Sequence, residues 1–134
     1  MRVAKGMMLA LLSMIFMVQG CALLLVGAGA GAGAGTYAYV KGELQMTYGA
    51  SVDRTWNATL SALKDLNMRV EWTKKEVIEG NIEATKPDGT KVKIDVVKAG
   101  PDTTTVKVRI GIFGDEEASR LIHRRIADIL GIKS

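Results

Sequence analysis

Apolar and polar positions follow two rhythms along this chain, and each change of rhythm marks an element. Leu44, Met46 and Tyr48 alternate with Glu43, Gln45 and Thr47, the period-two pattern of a half-buried strand. Ser51 then suits a helix N-cap, with Asp53 in the first turn. Val52, Trp56, Leu60, Leu63 and Leu66 recur at helical spacing, which predicts an amphipathic helix over about Val52 to Leu66. Period two returns in Met68, Val70 and Trp72 against Arg69, Glu71 and Thr73. It continues in Ile78, Gly80, Ile82 and Ala84 against Glu79, Asn81, Glu83 and Thr85. Two further runs follow, Val92, Ile94 and Val96, then Val106, Val108, Ile110 and Ile112. "KPDGTK" and "AGPDT" read as the turns that bound them.

The chain closes with "GDEEASRLIHRRIADILG". Asp115, Glu116 and Glu117 crowd a first turn, where the helix dipole favours negative charge. Ala118, Leu121, Ile122, Ile126, Ile129 and Leu130 form the expected apolar face, and Gly131 is a stop signal. The order is strand, helix, four strands, helix. Four strands on short turns make an antiparallel meander. Alternation in every strand means one covered face and one wet face. The expected fold is therefore α+β: a two-layer sandwich with a five-stranded, mainly antiparallel sheet (β-α-β-β-β-β-α), both helices on one face, helix-grip-like.

The first third has a different character. Arg2 and Lys5 precede a twelve-residue apolar run, Met7 to Val18, shorter than the about 20 residues needed to span a bilayer. Val18-Gln19-Gly20-Cys21 then resembles a bacterial lipobox, with Gln19 departing from the usual small or hydroxyl residue. That resemblance implies a signal peptide over residues 1–20, cleavage before Cys21 and fatty acylation, such as palmitate, of its thiol. The competing reading is an uncleaved anchor over Met7 to Val26. Gly27 to Gly35 alternates strictly between glycine and alanine. It reads as a flexible tether, because nothing polar fixes it and ordering glycine is costly. The alternative is a membrane-packing helix, since Gly27, Gly31 and Gly35 have G-x-x-x-G spacing. The domain reading is residues 1–20 signal, 21–40 lipidated cysteine and tether, and 41–134 a single α+β domain.

Composition narrows the chemistry. The 134 residues carry a single cysteine and one histidine. An exported protein ordinarily pairs its cysteines, so acylation of Cys21 leaves no expectation of a disulfide, a cysteine nucleophile or a metal site. No cofactor is expected. The formal charge of +4 falls to +2 when Arg2 and Lys5 leave with a signal peptide, too small a bias for nucleic acid. His123 falls beside Arg120 and Arg124 and is expected to be a solvated helix residue. Trp56 and Trp72 lie on inward stripes and are expected in the core. "GIFGDEE" has glycines around a helix start, but its three carboxylates favour a cap over a phosphate cradle. The outward strand positions are more informative. Glu71, Glu79 and Glu83 make one half of that face acidic, while Lys91, Lys93, Lys107 and Arg109 make the other basic. Those four cations are the candidate partner-binding residues, against ordinary cross-strand charge pairing.

The Gly-Ala tract after the lipobox, "EGNIEA", the "DGT" turn and "GIFGDEEAS" together resemble small uncharacterised bacterial lipoproteins of domain-of-unknown-function family 3568. The likeness runs over nearly all of residues 21–134 and implies no settled activity. The architecture is also similar to helix-grip modules in outer-membrane assembly lipoproteins, a likeness of fold that licenses no function. The expectation is a non-enzymatic, membrane-anchored envelope module that binds or scaffolds. Its partners would be the membrane, through the N-terminal lipid, and an envelope protein or anionic envelope polymer. The alternative is a small ligand-binding or hydrolytic domain with a cleft between helices and sheet. Ala22 lacks the aspartate of inner-membrane retention, so the resemblance implies an outer-membrane position facing the periplasm. Cys21→Ser is accordingly expected to leave a larger, unacylated precursor. Metabolic labelling with a clickable fatty acid checks this, and label retained in the variant contradicts the lipid anchor.

Overall fold

The computed structural model describes residues 37–132. The elements, in chain order, are β1 (Ala38–Val40), β2 (Glu43–Tyr48), α1 (Val52–Asp65), β3 (Arg69–Lys75), β4 (Glu79–Thr85), β5 (Lys91–Gly100), β6 (Thr103–Ile110) and α2 (Glu116–Leu130). They form an α+β fold with an open sheet in the order β1-β2-β6-β5-β4-β3, every pair antiparallel. The four strands after α1 are the expected meander, and β2 adds beside β6.

The sheet has six strands rather than five. The added one, β1, lies in the stretch read as tether. Its three residues are too short to show a period, and its hairpin turn is Lys41–Gly42, with φ of 51° and 82°. That two-residue turn needs φ > 0 at both positions, usually signalled by Asn-Gly or Asp-Gly; lysine in first place hides it.

Both helices are capped as their sequences suggest. Ser51 Oγ accepts from the Arg54 amide, and Asp115 Oδ1 accepts from the Ala118 amide at 3.0 Å. Gly131 ends α2 in the left-handed conformation. The buried stripe of α2 differs from its apolar letters. It consists of Ser119, Ile122, His123, Ile126 and Ala127, while Leu121 and Ile129 are exposed. Positions 119, 122, 123, 126 and 127 share one helical face at i, i+3, i+4 spacing; Leu121 and Ile129 flank it.

The core fills the space between helices and sheet. Leu44, Met46, Ile82, Val92, Ile94, Val96, Val106, Val108 and Ile110 point in from the strands. Trp56, Ala62, Leu63, Ile122 and Ile126 meet them from the helices. Trp56 is buried as expected, and the reason it fits is Gly80. A Cβ on Gly80 would lie 2.4 Å from the indole Cζ3. The missing side chain on β4 is what lets the ring lie on the sheet.

Trp72 departs from expectation: it is 49% exposed. A bulge between Val70 and Trp72 inserts Glu71, so Val70 pairs with inward Ala84 but Trp72 pairs with outward Glu83. One extra residue sends every later side chain to the other face. Thr73 and Lys75 thus take inward positions at the sheet edge, where Lys75 pairs with Asp53 of α1. Ile78 and Ile112 also leave their expected inward alternation, because each lies in a turn beyond the end of its strand.

Trp56→Ala is expected to cost about 3–5 kcal/mol, as for a large aromatic removed from a core, against a total of about 5–15 kcal/mol for a domain. Gly80→Ala forces the indole to shift and is expected to cost about 1–3 kcal/mol. Thermal and denaturant melts check both; a wild-type Gly80→Ala melt contradicts the ring-on-glycine contact.

Candidate functional site

The candidate cations stand on the two central strands. β5 and β6 pair with Val92 opposite Ile110, Ile94 opposite Val108 and Val96 opposite Val106, all inward. Their outward neighbours are therefore forced into register. Lys93 lies directly opposite Arg109, and Asp95 opposite Lys107. Lys91 follows at the end of the strip, its carbonyl accepting from the Gly111 amide at 2.9 Å.

Two like charges face to face across a strand pair are unfavourable unless something offsets them. Carboxylates stand across the strands from three of the cations, Glu83 from Lys93, Glu43 from Arg109 and Asp95 from Lys107, but none closes an ion pair with them. Asp95 accepts from Asn81 Nδ2 at 2.6 Å, and Glu43, opposite Arg109 on β2, accepts from Gln45 Nε2 at 2.9 Å. Arg69 and Thr85 hydrogen-bond the Glu71 carboxylate and hold it below its ordinary range. Among the described residues, none of Lys91, Lys93, Lys107 and Arg109 has a carboxylate partner within 4.0 Å. Arg109 instead donates from Nη2 to the Ile112 carbonyl at 3.2 Å.

Lys91, Lys93 and Arg109 line a concavity of about 630 Å³ with Thr90, Gly111 and Ile112. Lys107 does not line it; it stands two residues along β6 beside Asp95. A second hollow of about 270 Å³ joins Lys91 and Lys93 to Glu71 and Glu83, where the basic and acidic halves of the face meet. This arrangement can hold an anion, because three cationic side chains line one concavity and none of them is closed into an ion pair among the described residues. The other candidate, Cys21, lies outside the described residues. Among those residues, no group of three or more His, Cys, Asp or Glu side chains converges for a metal ion.

Sequence reasoning missed the loop at the mouth of the concavity. Ile112 is 83% exposed and Phe113 90%. The signal available was "GIFG": two large apolar residues bracketed by glycines, beyond the last strand. Gly111 and Gly114 both take positive φ, 72° and 81°. A Cβ on Gly114 would lie 2.3 Å from the Gly42 carbonyl oxygen, so this loop and the β1–β2 turn pack backbone on backbone.

His123 is not solvated: it is 0% exposed. It lies on the inward stripe of α2 and ties that helix to β2. Its Nε2–H donates to the Leu44 carbonyl at 2.9 Å, which leaves Nδ1 to accept from the Tyr48 hydroxyl at 2.7 Å. The same hydroxyl lies 3.0 Å from the His123 carbonyl oxygen. Tyr37 meets the ring edge-on, 5.6 Å between centroids, with Arg120 over its own face. Burial pushes the imidazole down to about 4, opposed by the Leu44 hydrogen bond and helped by the charge of Arg120. With both nitrogens engaged and no exposure, His123 is a structural tie. A neutral ring in the fold and an ordinary histidine when unfolded, titrating at 6.5, means that the unfolded chain takes up the extra proton. Stability is therefore full above about pH 6.5 and falls by on the order of 3 kcal/mol as pH drops toward 4. Urea unfolding across that range checks the slope, and His123→Gln is expected to flatten it.

A search of curated proteins returns no match. The family model described as Protein of unknown function (DUF3568) matches residues 5–129. That match spans the whole sheet, the first helix and all but the last residue of the second, and the chain belongs to this family.

Proposed function

We propose that this protein is a non-enzymatic binding or scaffolding module of the bacterial cell envelope, lipid-anchored through Cys21 and docking an anionic partner on its outer sheet face. The observation that carries the reading is the strip itself: Lys93 opposite Arg109, with Lys91 and Lys107 beside them, and no carboxylate partner within 4.0 Å among the described residues. Glu83, Glu43 and Asp95 stand across the strands from Lys93, Arg109 and Lys107 without closing an ion pair, so the donors of the strip stay open to a ligand. The anchor reading rests on the lipobox resemblance and the outer-membrane position on Ala22. The two helices lying together over one sheet face support the helix-grip likeness. No helix among the described residues is long and apolar enough to cross a membrane.

The hydrolytic alternative would need convergent acids in the layer between helices and sheet. The buried polar side chains there are Thr55, Thr59, Thr104, Ser119 and His123, with no carboxylate among the described residues. The concavity on the outer face favours binding over chemistry, because cations alone supply neither a nucleophile nor a general base at neutral pH.

Lys107→Glu with Arg109→Glu is expected to leave the melting temperature nearly unchanged, since exposed charges contribute roughly 0–1 kcal/mol each. The same variant is expected to lose the partner recovered by crosslinking in intact cells and mass spectrometry. An unchanged crosslink pattern returns the strip to ordinary surface charge.

A further inference from the structure

We propose that the Ile112–Phe113 loop and the basic concavity beside it form a membrane-contact surface: the apolar tip enters the interfacial layer of a bilayer while Lys91, Lys93 and Arg109 hold the phosphates of anionic headgroups. This rests on the reading of the strip as an anion-docking surface, and it names the anion.

Three observations favour a lipid surface over a soluble anion. First, Ile112 and Phe113 stand almost fully in water at a turn, where the fold has no use for them. A soluble anionic polymer would leave both unexplained. A bilayer presents acyl chains and phosphates in adjacent layers, and an apolar tip rimmed by cations complements both. Second, the loop is anchored at its base. Gly114 packs on the backbone of Gly42, and Arg109 grips the Ile112 carbonyl at 3.2 Å. Little conformational freedom is lost when such a loop inserts. Third, most acids of the neighbouring turn are committed. Asp115 caps α2, and Glu116 pairs with Arg120 at 2.9 Å. Glu117 remains, on the helix side near Leu121 and Arg124, so the sheet side of the tip is the one that faces the lipid. The opposite end of the sheet also carries an exposed apolar turn, Val77–Ile78, but there Lys74 and Lys75 are committed to Glu76 and Asp53.

The test uses the full chain carrying Cys21→Ser, so that one introduced cysteine bears an environment-sensitive dye. Phe113→Cys places it at the tip and Val77→Cys at the other end. With vesicles of phosphatidylcholine and phosphatidylglycerol, the dye at 113 is expected to blue-shift and lose most of its quenching by acrylamide. The dye at 77 is expected to stay quenched. Adding Lys91→Gln and Lys93→Gln is expected to lower the docked-to-undocked ratio on the order of 30-fold, about fivefold per cation. Equal quenching at 113 and 77 with anionic vesicles overturns the proposal. So does an equal blue shift with phosphatidylcholine alone, which would remove the headgroup phosphate from the account. If the dye at 113 stays in water while Lys107→Glu with Arg109→Glu still loses its crosslinked partner, the membrane inference fails and the docking reading stands.

Discussion

The pairing of β5 with β6 is the constraint on which most else in this molecule depends. Three apolar side chains on each strand must meet face to face beneath the helices, and a slip of one residue would turn them all into water. That register is strongly determined by burial. Its consequence on the other side of the sheet is not optional: Lys93 must lie opposite Arg109. The hydrophobic core thus imposes a like-charge contact on the solvent face. Glu83 and Glu43 flank that contact from the neighbouring strands, opposite Lys93 and Arg109, and temper the repulsion without closing an ion pair.

The same sheet explains why the helices lie as they do. α1 is seated by an indole on a glycine, a contact that only the absence of a side chain at residue 80 permits. α2 is seated by an imidazole that satisfies both nitrogens on β2, one at a backbone carbonyl and one at a buried hydroxyl. The two devices differ in character. The Trp56 contact is apolar and indifferent to pH. The His123 contact requires a neutral ring, so the docking of α2 weakens in acid.

The features behind the proposed function gather at one end of the sheet. There the β1–β2 turn, the start of β5, the end of β6 and the approach to α2 converge, bringing three cations and two exposed apolar residues together. A lipid-anchored module would bring such a surface to a bilayer at high effective concentration, so that a weak contact suffices to orient the domain.

The sequence by itself determined the two rhythms, the caps at Ser51 and Asp115, the stop at Gly131, the turns and the meander. Each of these is a local preference that repeats or sits beside a distinctive residue. It also singled out Lys91, Lys93, Lys107 and Arg109, because outward positions follow from the same alternation. Tertiary structure decided what alternation cannot carry. A single-residue bulge turned Trp72 outward, and no letter near Glu71 announces it. A three-residue strand joined the sheet because β2 offered it an edge. His123 was buried because Leu44 and Tyr48, more than seventy residues away, supply the partners that a polar ring needs in a core. Ile112 and Phe113 were left in water because the strand ends at Ile110 and two glycines turn the chain away from the core.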